Sequence, residues 1–404
     1  MTVSSPRATS RTSSGVRRRL ADEADLPRVQ RLHRAFLISC GGTGGHLAPG
    51  IALAEELVGR RHRVTLLISE KKVDAQLAAK YPWLNFVPLP GAPFGLSPSV
   101  ATRFAAEQAR GFGVAWDLVK EMQPDLVIGF GGFTSAAVML VAGIFRVPIA
   151  LHEANQVPGR AIRLMAPLAT RLYLPPGVEM GANFTSRVRP VGLPVRPEIH
   201  REPREAACRV WGLDPARPVV AVLGGSQGAR ALNEWAARAA RELAAAGVQL
   251  LCVTGSSAKQ PEVHLGEGGL RAVFLPFCDR MATLLSAADL VVSRAGAGTI
   301  AELVRCGTPA ILVPYPFAAD NHQAANAASF AASCGGVVVS QENTAALTPL
   351  VLRTLRTPGL LESYRESLQR AQAVDPRQVI AADLEHLVQE RRRTFEPVTG
   401  GVAA

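Results

Sequence analysis

The residues best suited to chemistry form one turn, Cys40-Gly41-Gly42-Thr43-Gly44-Gly45-His46, set between the apolar run Ala35 to Ser39 and a helical pattern beginning near Leu47. Its four glycines remove the Cβ atoms that would hold a phosphate or a sugar off the backbone around Thr43, Gly44 and Gly45. The helix that follows aims free N–H groups at the same point, and its positive end disfavours a protonated imidazole beside it. His46 is therefore a candidate general base, with a neutral nitrogen able to take a proton. A glycine-rich strand-to-helix turn also serves plain close packing. No Gly-Lys-Ser/Thr follows, so it is not a P-loop, and it is not a clean GxGxxG of the dinucleotide type.

Further chemistry-bearing stretches lie at the ends of apolar runs. In Ser293-Arg294-Ala295-Gly296-Ala297-Gly298-Thr299-Ile300-Ala301-Glu302, the glycines admit a diphosphate and a carboxylate one turn into the helix can accept from both ribose hydroxyls. Thr299 and Glu302 also have the spacing of a capping box, which needs no ligand. Asp320-Asn321-His322-Gln323 collects donors and acceptors at a helix start, suited to sugar hydroxyls, with capping by Asp320 or Asn321 as the alternative. Asn155, in the polar loop Glu153 to Gly159, can bond a sugar hydroxyl or make an Asx-turn. Arg196, after the Pro-rich Gly192 to Val195, stands where two halves of the chain could share it, or is an ordinary surface arginine.

The elements that must position these residues alternate strand and helix from Arg34 onward. At 404 residues the chain exceeds one ordinary core, so two domains are expected. The glycine-turn pattern appears at Gly41, recurs at Gly131-Gly132, and restarts at Gly224-Gly225-Ser226-Gln227-Gly228-Ala229 after the buried run Pro218 to Leu223. The reading is an α/β chain with a parallel sheet in each half. Its expected units are a disordered basic arm over 1–34, a first domain over 35–195, a second over 196–376, a helix over 377–393 packed on the body, and a loose tail over 394–404. Eight arginines against Asp22, Glu23 and Asp25 make the arm basic without the apolar segment of a secretory signal.

A net charge of +11 calls for anionic company: nucleotide phosphates, acidic lipid or nucleic acid. No aromatic-interleaved basic module supports nucleic acid. Trp83, Phe86, Phe94, Phe104, Phe112 and Trp116, set among Pro, Gly and Arg, suit either core packing or an anionic membrane surface. Six scattered cysteines, with no CxxC pair, read as reduced thiols. No apolar run is long enough to span a bilayer, and Ala136 to Phe145 reads as a buried helix.

In their order, the motifs Gly41 to His46, Gly131 to Ser135, His152 to Gly159, Gly192 to Arg196, Gly224 to Ala229, Arg294 to Glu302 and Asp320 to Gln323 resemble the MurG family of bacterial glycosyltransferases. The likeness runs from Arg34 to about Arg393. It implies a GT-B architecture, two Rossmann-like domains facing across a cleft, and inverting transfer of N-acetylglucosamine from UDP-N-acetylglucosamine to lipid I, the undecaprenyl-diphosphate-linked acceptor. It further implies His46 as base and Thr43 and Asn155 near the donor sugar or diphosphate. Arg196 and Ser226 would hold the diphosphate, with Gln227 beside them. Gly298 and Thr299 would lie by the phosphates, Glu302 on the ribose, and His322 and Gln323 on the sugar. Peripheral attachment to the cytoplasmic face of the membrane through the first domain follows from the same likeness. Leu193 stands where relatives often have Asn, and its apolar side chain has no polar group to offer there. No Asp-x-Asp pair precedes a strand end, so no metal is expected to be obligatory, although a divalent ion could stimulate. Alternative readings are a UDP-N-acetylglucosamine 2-epimerase, another UDP-sugar-dependent glycolipid glycosyltransferase, or a non-catalytic sugar-nucleotide-binding protein.

Overall fold

The computed structural model describes residues 33–42, 44–91, 98–132, 134–225, 228–255, 260–266 and 269–395. Thr43, Ser226, Gln227, Phe94 and most of the expected arm and tail lie outside the described residues.

The first half builds β1 (Ala35–Ser39), β2 (Arg63–Ser69), β3 (Asn85–Leu89), β4 (Leu126–Gly129), β5 (Ile149–His152), β6 (Arg171–Leu174) and β7 (Val188–Pro190). They form one sheet in the order β3-β2-β1-β4-β5-β6-β7, every pair parallel. Most of these strands are continuous apolar runs because helices cover both faces: α1 (Gly44–Gly59), α2 (Lys72–Ala78), α3 (Pro98–Met122), α4 (Ser135–Ile144) and α5 (Arg160–Met165). Strand order reverses between β1 and β4, which opens a crevice at their carboxyl ends. Both glycine turns of this half empty into that crevice.

The second half repeats the plan with α6 (Arg204–Val210), β8 (Val219–Leu223), α7 (Arg230–Ala245), β9 (Gln249–Val253), β10 (Glu262–Leu265), β11 (Arg271–Leu275), α8 (Met281–Ala287), β12 (Leu290–Ser293), α9 (Ala297–Cys306), β13 (Ala310–Leu312), α10 (His322–Cys334) and β14 (Val337–Val338). Sheet order is β10-β11-β9-β8-β12-β13-β14, and the reversal lies between β8 and β12. The Gly224 turn and the Arg294 to Thr299 segment meet there. This sheet is not wholly parallel as expected: β10, unforeseen in the sequence, pairs antiparallel with β11 as an exposed edge.

Two further helices, α11 (Leu347–Arg356) and α12 (Leu360–Ala371), complete the second half, and α13 (Pro376–Phe395) then returns to the first. Ile380, Ala381, Leu384, Leu387 and Val388 of α13 share a buried cluster with Phe36, Ile38, Leu47 and Ile51. The chain therefore crosses between domains twice, near Gly192 and near Asp375. All six cysteines are buried free thiols. Among the described residues no helix is long and apolar enough to cross a membrane. The helix α4 is buried on one face only, since Leu140 and Ile144 are exposed, which corrects the expectation of a wholly buried segment.

Candidate active site

His46 sits on the first turn of α1. The helix starts at Gly44, earlier than the expected start near Leu47, and Pro49 lies inside it. The imidazole faces the second glycine turn. A Cβ on Gly131 would lie 3.6 Å from His46 Nε2, and one on Gly132 would lie 3.3 Å from Nδ1 and 2.6 Å from the Gly41 carbonyl oxygen. Both glycines hold positive φ, +91° and +84°, so this wall of the site needs glycine twice over. Burial lowers the His46 pKa from its ordinary 6.5, opposed by the carboxylates of Glu153 and Asp74 and aided by Lys71. The ring is thus kept neutral, as a base requires.

The turn before it is clamped from beneath. Asp74 Oδ2 accepts from Gly42 N at 3.1 Å, Ser69 N at 3.2 Å and Ser69 Oγ at 2.5 Å, while Lys71 Nζ donates to the Gly42 carbonyl at 2.7 Å. Thr134 Oγ1 donates to the Gly41 carbonyl at 3.0 Å, tying the two glycine turns together. Asp74 is fully buried on a helix 32 residues away from Gly42, a separation that hides this role in the sequence.

A second buried acid shapes the next loop. Glu153 Oε1 accepts from Ala154 N and Asn155 N, each at 2.8 Å, and Oε2 accepts from Gly159 N at 2.7 Å. Asn155 Nδ2 also donates to Glu153, and Asn155 Oδ1 accepts from Asn326 Nδ2 at 3.1 Å. Asn155 is thus neither a simple Asx-turn nor open to ligand on both ends; its carboxamide ties the two domains. Asn326 completes the tie by accepting from Gln156 N at 2.8 Å. The sequence pointed to neither Glu153 nor Asn326, although a carboxylate opening a polar loop directly after a buried strand was a usable signal for the former. His152, beside them, is no rival base: Nε2 donates to the Gly192 carbonyl at 3.2 Å, and burial holds its pKa down at about 4.

On the facing side, α9 starts at Ala297 with Gly296 as its cap residue and no side-chain capping bond. Thr299 and Glu302 therefore do not make the capping box that their spacing allows. Gly298 and Thr299 lie in the first turn, where unpaired N–H groups collect, and Glu302 lies on the next. Burial pushes the Glu302 pKa up to about 7, against the pull of Arg196. Arg196 Nη2 is 3.9 Å from Glu302 Oε1, so the linker arginine does reach the second domain's site. By contrast Arg294, in the same motif, is structural: Nη1 donates to the Val313 and Pro314 carbonyls, both at 3.1 Å.

The stretch before α10 reads differently from the sequence expectation. Asp320 and Asn321 both adopt left-handed backbone, φ +50° and +54°, and neither caps the helix with its side chain. Asp320 instead pairs across the cleft with Arg163 at 2.8 Å and Arg160 at 3.5 Å. His322 Nδ1 donates to the Ala319 carbonyl at 2.7 Å, and Gln323 Oε1 accepts from Tyr315 N at 2.9 Å, leaving His322 Nε2 and Gln323 Nε2 as the groups available to a sugar. Leu193 lines a mostly apolar cavity of about 710 Å³ between the two domain crossings and α9, α10 and α12, which accounts for an apolar residue there. That cavity lies along the α9 face carrying Ile300 and Val304, away from Glu302.

Residues 36–174 match the glycosyltransferase family 28 N-terminal domain and residues 219–375 its C-terminal domain. A protein of Opitutus terrae is 51% identical over 90% of this chain and 98% of its own length, and one of Clavibacter sepedonicus is 38% identical over 76% and 83%. Both are called UDP-N-acetylglucosamine--N-acetylmuramyl-(pentapeptide) pyrophosphoryl-undecaprenol N-acetylglucosamine transferase. Among solved structures, Acinetobacter baumannii MurG superimposes with a TM-score of 0.66 at 24% identity, covering 87% of this chain and 99% of that one. The kitacinnamycin glycosyltransferase gives 0.67 at 18%, covering 89% and 99%, which shows the shared GT-B fold. Matched in both halves and along nearly the whole length of the Opitutus relative, the chain belongs to glycosyltransferase family 28 and, within it, to the MurG family.

Proposed function

We propose that His46 is the base in an inverting transfer of N-acetylglucosamine from UDP-N-acetylglucosamine to the C4 hydroxyl of the N-acetylmuramyl residue of lipid I. The product is lipid II, the precursor used in peptidoglycan synthesis. The acceptor oxygen attacks the anomeric carbon as its proton passes to His46, the bond to UDP breaks, and the α-linked donor becomes a β(1→4) glycoside. Negative charge gathering on the leaving diphosphate meets the first turn of α9 at Gly298 and Thr299, and the Arg196 guanidinium. Glu302 takes the ribose hydroxyls, and His322 and Gln323 take the sugar. Ser226 and Gln227 are assigned to the diphosphate, and Thr43, Gly44 and Gly45 to the sugar side of the His46 turn, by the family likeness alone. Asn155 acts chiefly by tying its loop to Asn326.

The observation that carries this reading is the pairing of a neutral imidazole at the β1/β4 crevice with a carboxylate and guanidinium at the β8/β12 crevice. Because Arg196 and the first turn of α9 offset the negative charge of the leaving diphosphate, transfer should need no obligatory metal; EDTA that abolished turnover would overturn this. The decisive assay is UDP-N-acetylglucosamine with a lipid I analogue, read by product mass and anomeric configuration. An α-linked product, or UDP-N-acetylmannosamine formed without acceptor, would reject it.

The membrane is met from the cytoplasmic side through the first domain. Exposed Leu140 and Ile144 of α4, Leu164 of α5 and Leu168 just beyond lie with Trp116 and Arg146 on that domain, apolar anchors beside a cation.

A further inference from the structure

Tyr81 lies in the turn after α2, in the first domain, yet its hydroxyl ends in the charge cluster of the second. The residue is only 5% exposed; its ring belongs to the core around β1 and β2 and meets Trp83 edge-on at 5.5 Å between centroids. At the ring's polar end, the hydroxyl donates to Glu198 and accepts from Arg196 Nη1 at 3.0 Å. The same Nη1 is 3.2 Å from Glu198 Oε1, and the other terminal nitrogen, Nη2, points to Glu302 at 3.9 Å. A guanidinium is a rigid planar fork, so fixing one arm aims the other.

We propose that Tyr81 is a positioning residue for the nucleotide end of the donor: by holding one arm of Arg196 it keeps the other beside Glu302, and so keeps that carboxylate ionised for two ribose hydroxyls. The inference rests on the reading that Glu302 takes the ribose. Only an ionised carboxylate offers acceptor sites alone, and Glu302 is poorly placed to stay ionised. Burial and the Glu198 charge both raise its pKa, and Arg196 is the group that lowers it. The other titratable neighbours are Cys278, ahead of α8, and Cys306, on α9 itself, while Arg196 also lowers the pKa of Glu55 of α1. Without the Tyr81 hydroxyl, Arg196 keeps Glu198 alone on that arm, and Glu198 is half in solvent.

The test is the donor KM of the full chain across the neutral range for wild type, Tyr81→Phe, Glu198→Gln and Glu302→Ala. For wild type, KM should rise as pH falls through about 7. Tyr81→Phe keeps the packed ring and should raise donor KM roughly five-fold at neutral pH, the size of a typical hydrogen bond's net contribution. The pH-dependent part of the effect should fall on donor KM, whose profile should move to higher pH, and a looser Arg196 at the diphosphate should lower kcat by a factor that does not change with pH. Glu198→Gln should move it the opposite way, since a carboxylate next to Glu302 disappears. A Tyr81→Phe profile that overlies wild type, or a KM raised equally at every pH, would overturn the proposal, as would a Glu198→Gln shift to higher pH. If Glu302→Ala leaves donor KM unchanged, the ribose reading fails; if it raises KM while Tyr81→Phe does not, only the role of Tyr81 fails.

Discussion

At the scale of single residues, the proposed function rests on a few side chains kept in charge states that water would not favour. His46 is pushed toward neutrality by burial, even with Glu153 and Asp74 nearby. Its proton is therefore lost at lower pH than from a free imidazole, and the acidic limb of kcat should fall below pH 6.5. Replacing it by alanine should slow transfer by roughly 10²-fold or more, with donor affinity measured by calorimetry unchanged; turnover within a few-fold of wild type would remove His46 from the role. Gly132 makes a sharper structural prediction. An alanine there meets the Gly41 carbonyl at 2.6 Å with φ at +84°, so stability in urea should drop by about 1–3 kcal/mol or more and kcat should fall with it. Both residues were legible in the sequence, because a histidine and paired glycines at strand ends carry their reason locally. Asp74 and Glu153 were not assigned, since the groups they hold are backbone N–H donors whose positions depend on the fold.

At the scale of elements, the strand-turn-helix units are where sequence and structure agree best. The apolar runs Ala35 to Ser39 and Pro218 to Leu223, each ahead of a glycine turn, became the parallel strands β1 and β8 at nearly the expected limits. Disagreements concentrate at helix starts. The helix α1 begins ahead of Leu47, and α9 begins ahead of Thr299 with no side-chain cap, because a helix that follows a strand through a glycine turn takes its first turn from sheet packing. The returning helix α13 is the element whose removal should be felt most. Leu384 is fully buried between it and the first domain, so Leu384→Ala should cost about 2–5 kcal/mol by chemical denaturation. A loss below about 0.5 kcal/mol would mean that α13 is only loosely held. Its polar anchors, His62 Nε2 to Glu385 at 2.7 Å and Arg60 to Glu385 at 3.0 Å, set its orientation against β2 and α1.

At the scale of the whole molecule, two sheets are joined by two chain crossings and by bonds across the cleft. Asn326 bonds to Asn155 and Gln156, Asp320 pairs with Arg163, and Lys80 pairs with Asp279. Asn326→Ala should leave each sheet folded yet weaken the tie, raising KM for both substrates several-fold; proteolysis at the crossings would report the loosened pair. The exposed first-domain patch predicts a separate phenotype. The double substitution Ile144→Glu and Leu164→Glu should abolish cosedimentation with vesicles of anionic phospholipid while transfer to a short-chain, water-soluble acceptor stays near wild type. Retained vesicle binding would move the membrane contact elsewhere.

By itself the sequence determined the repeated α/β plan and the two glycine-lined crevices, because each is written in local period and turn type. What only the tertiary structure decided is which groups hold the candidate site residues in place. Tyr81, Arg196, Glu198 and Glu302 come from three separate stretches, and Asn155 meets Asn326 across 171 positions. Such pairings depend on how two independently packed sheets are set against each other, and no local pattern encodes that geometry.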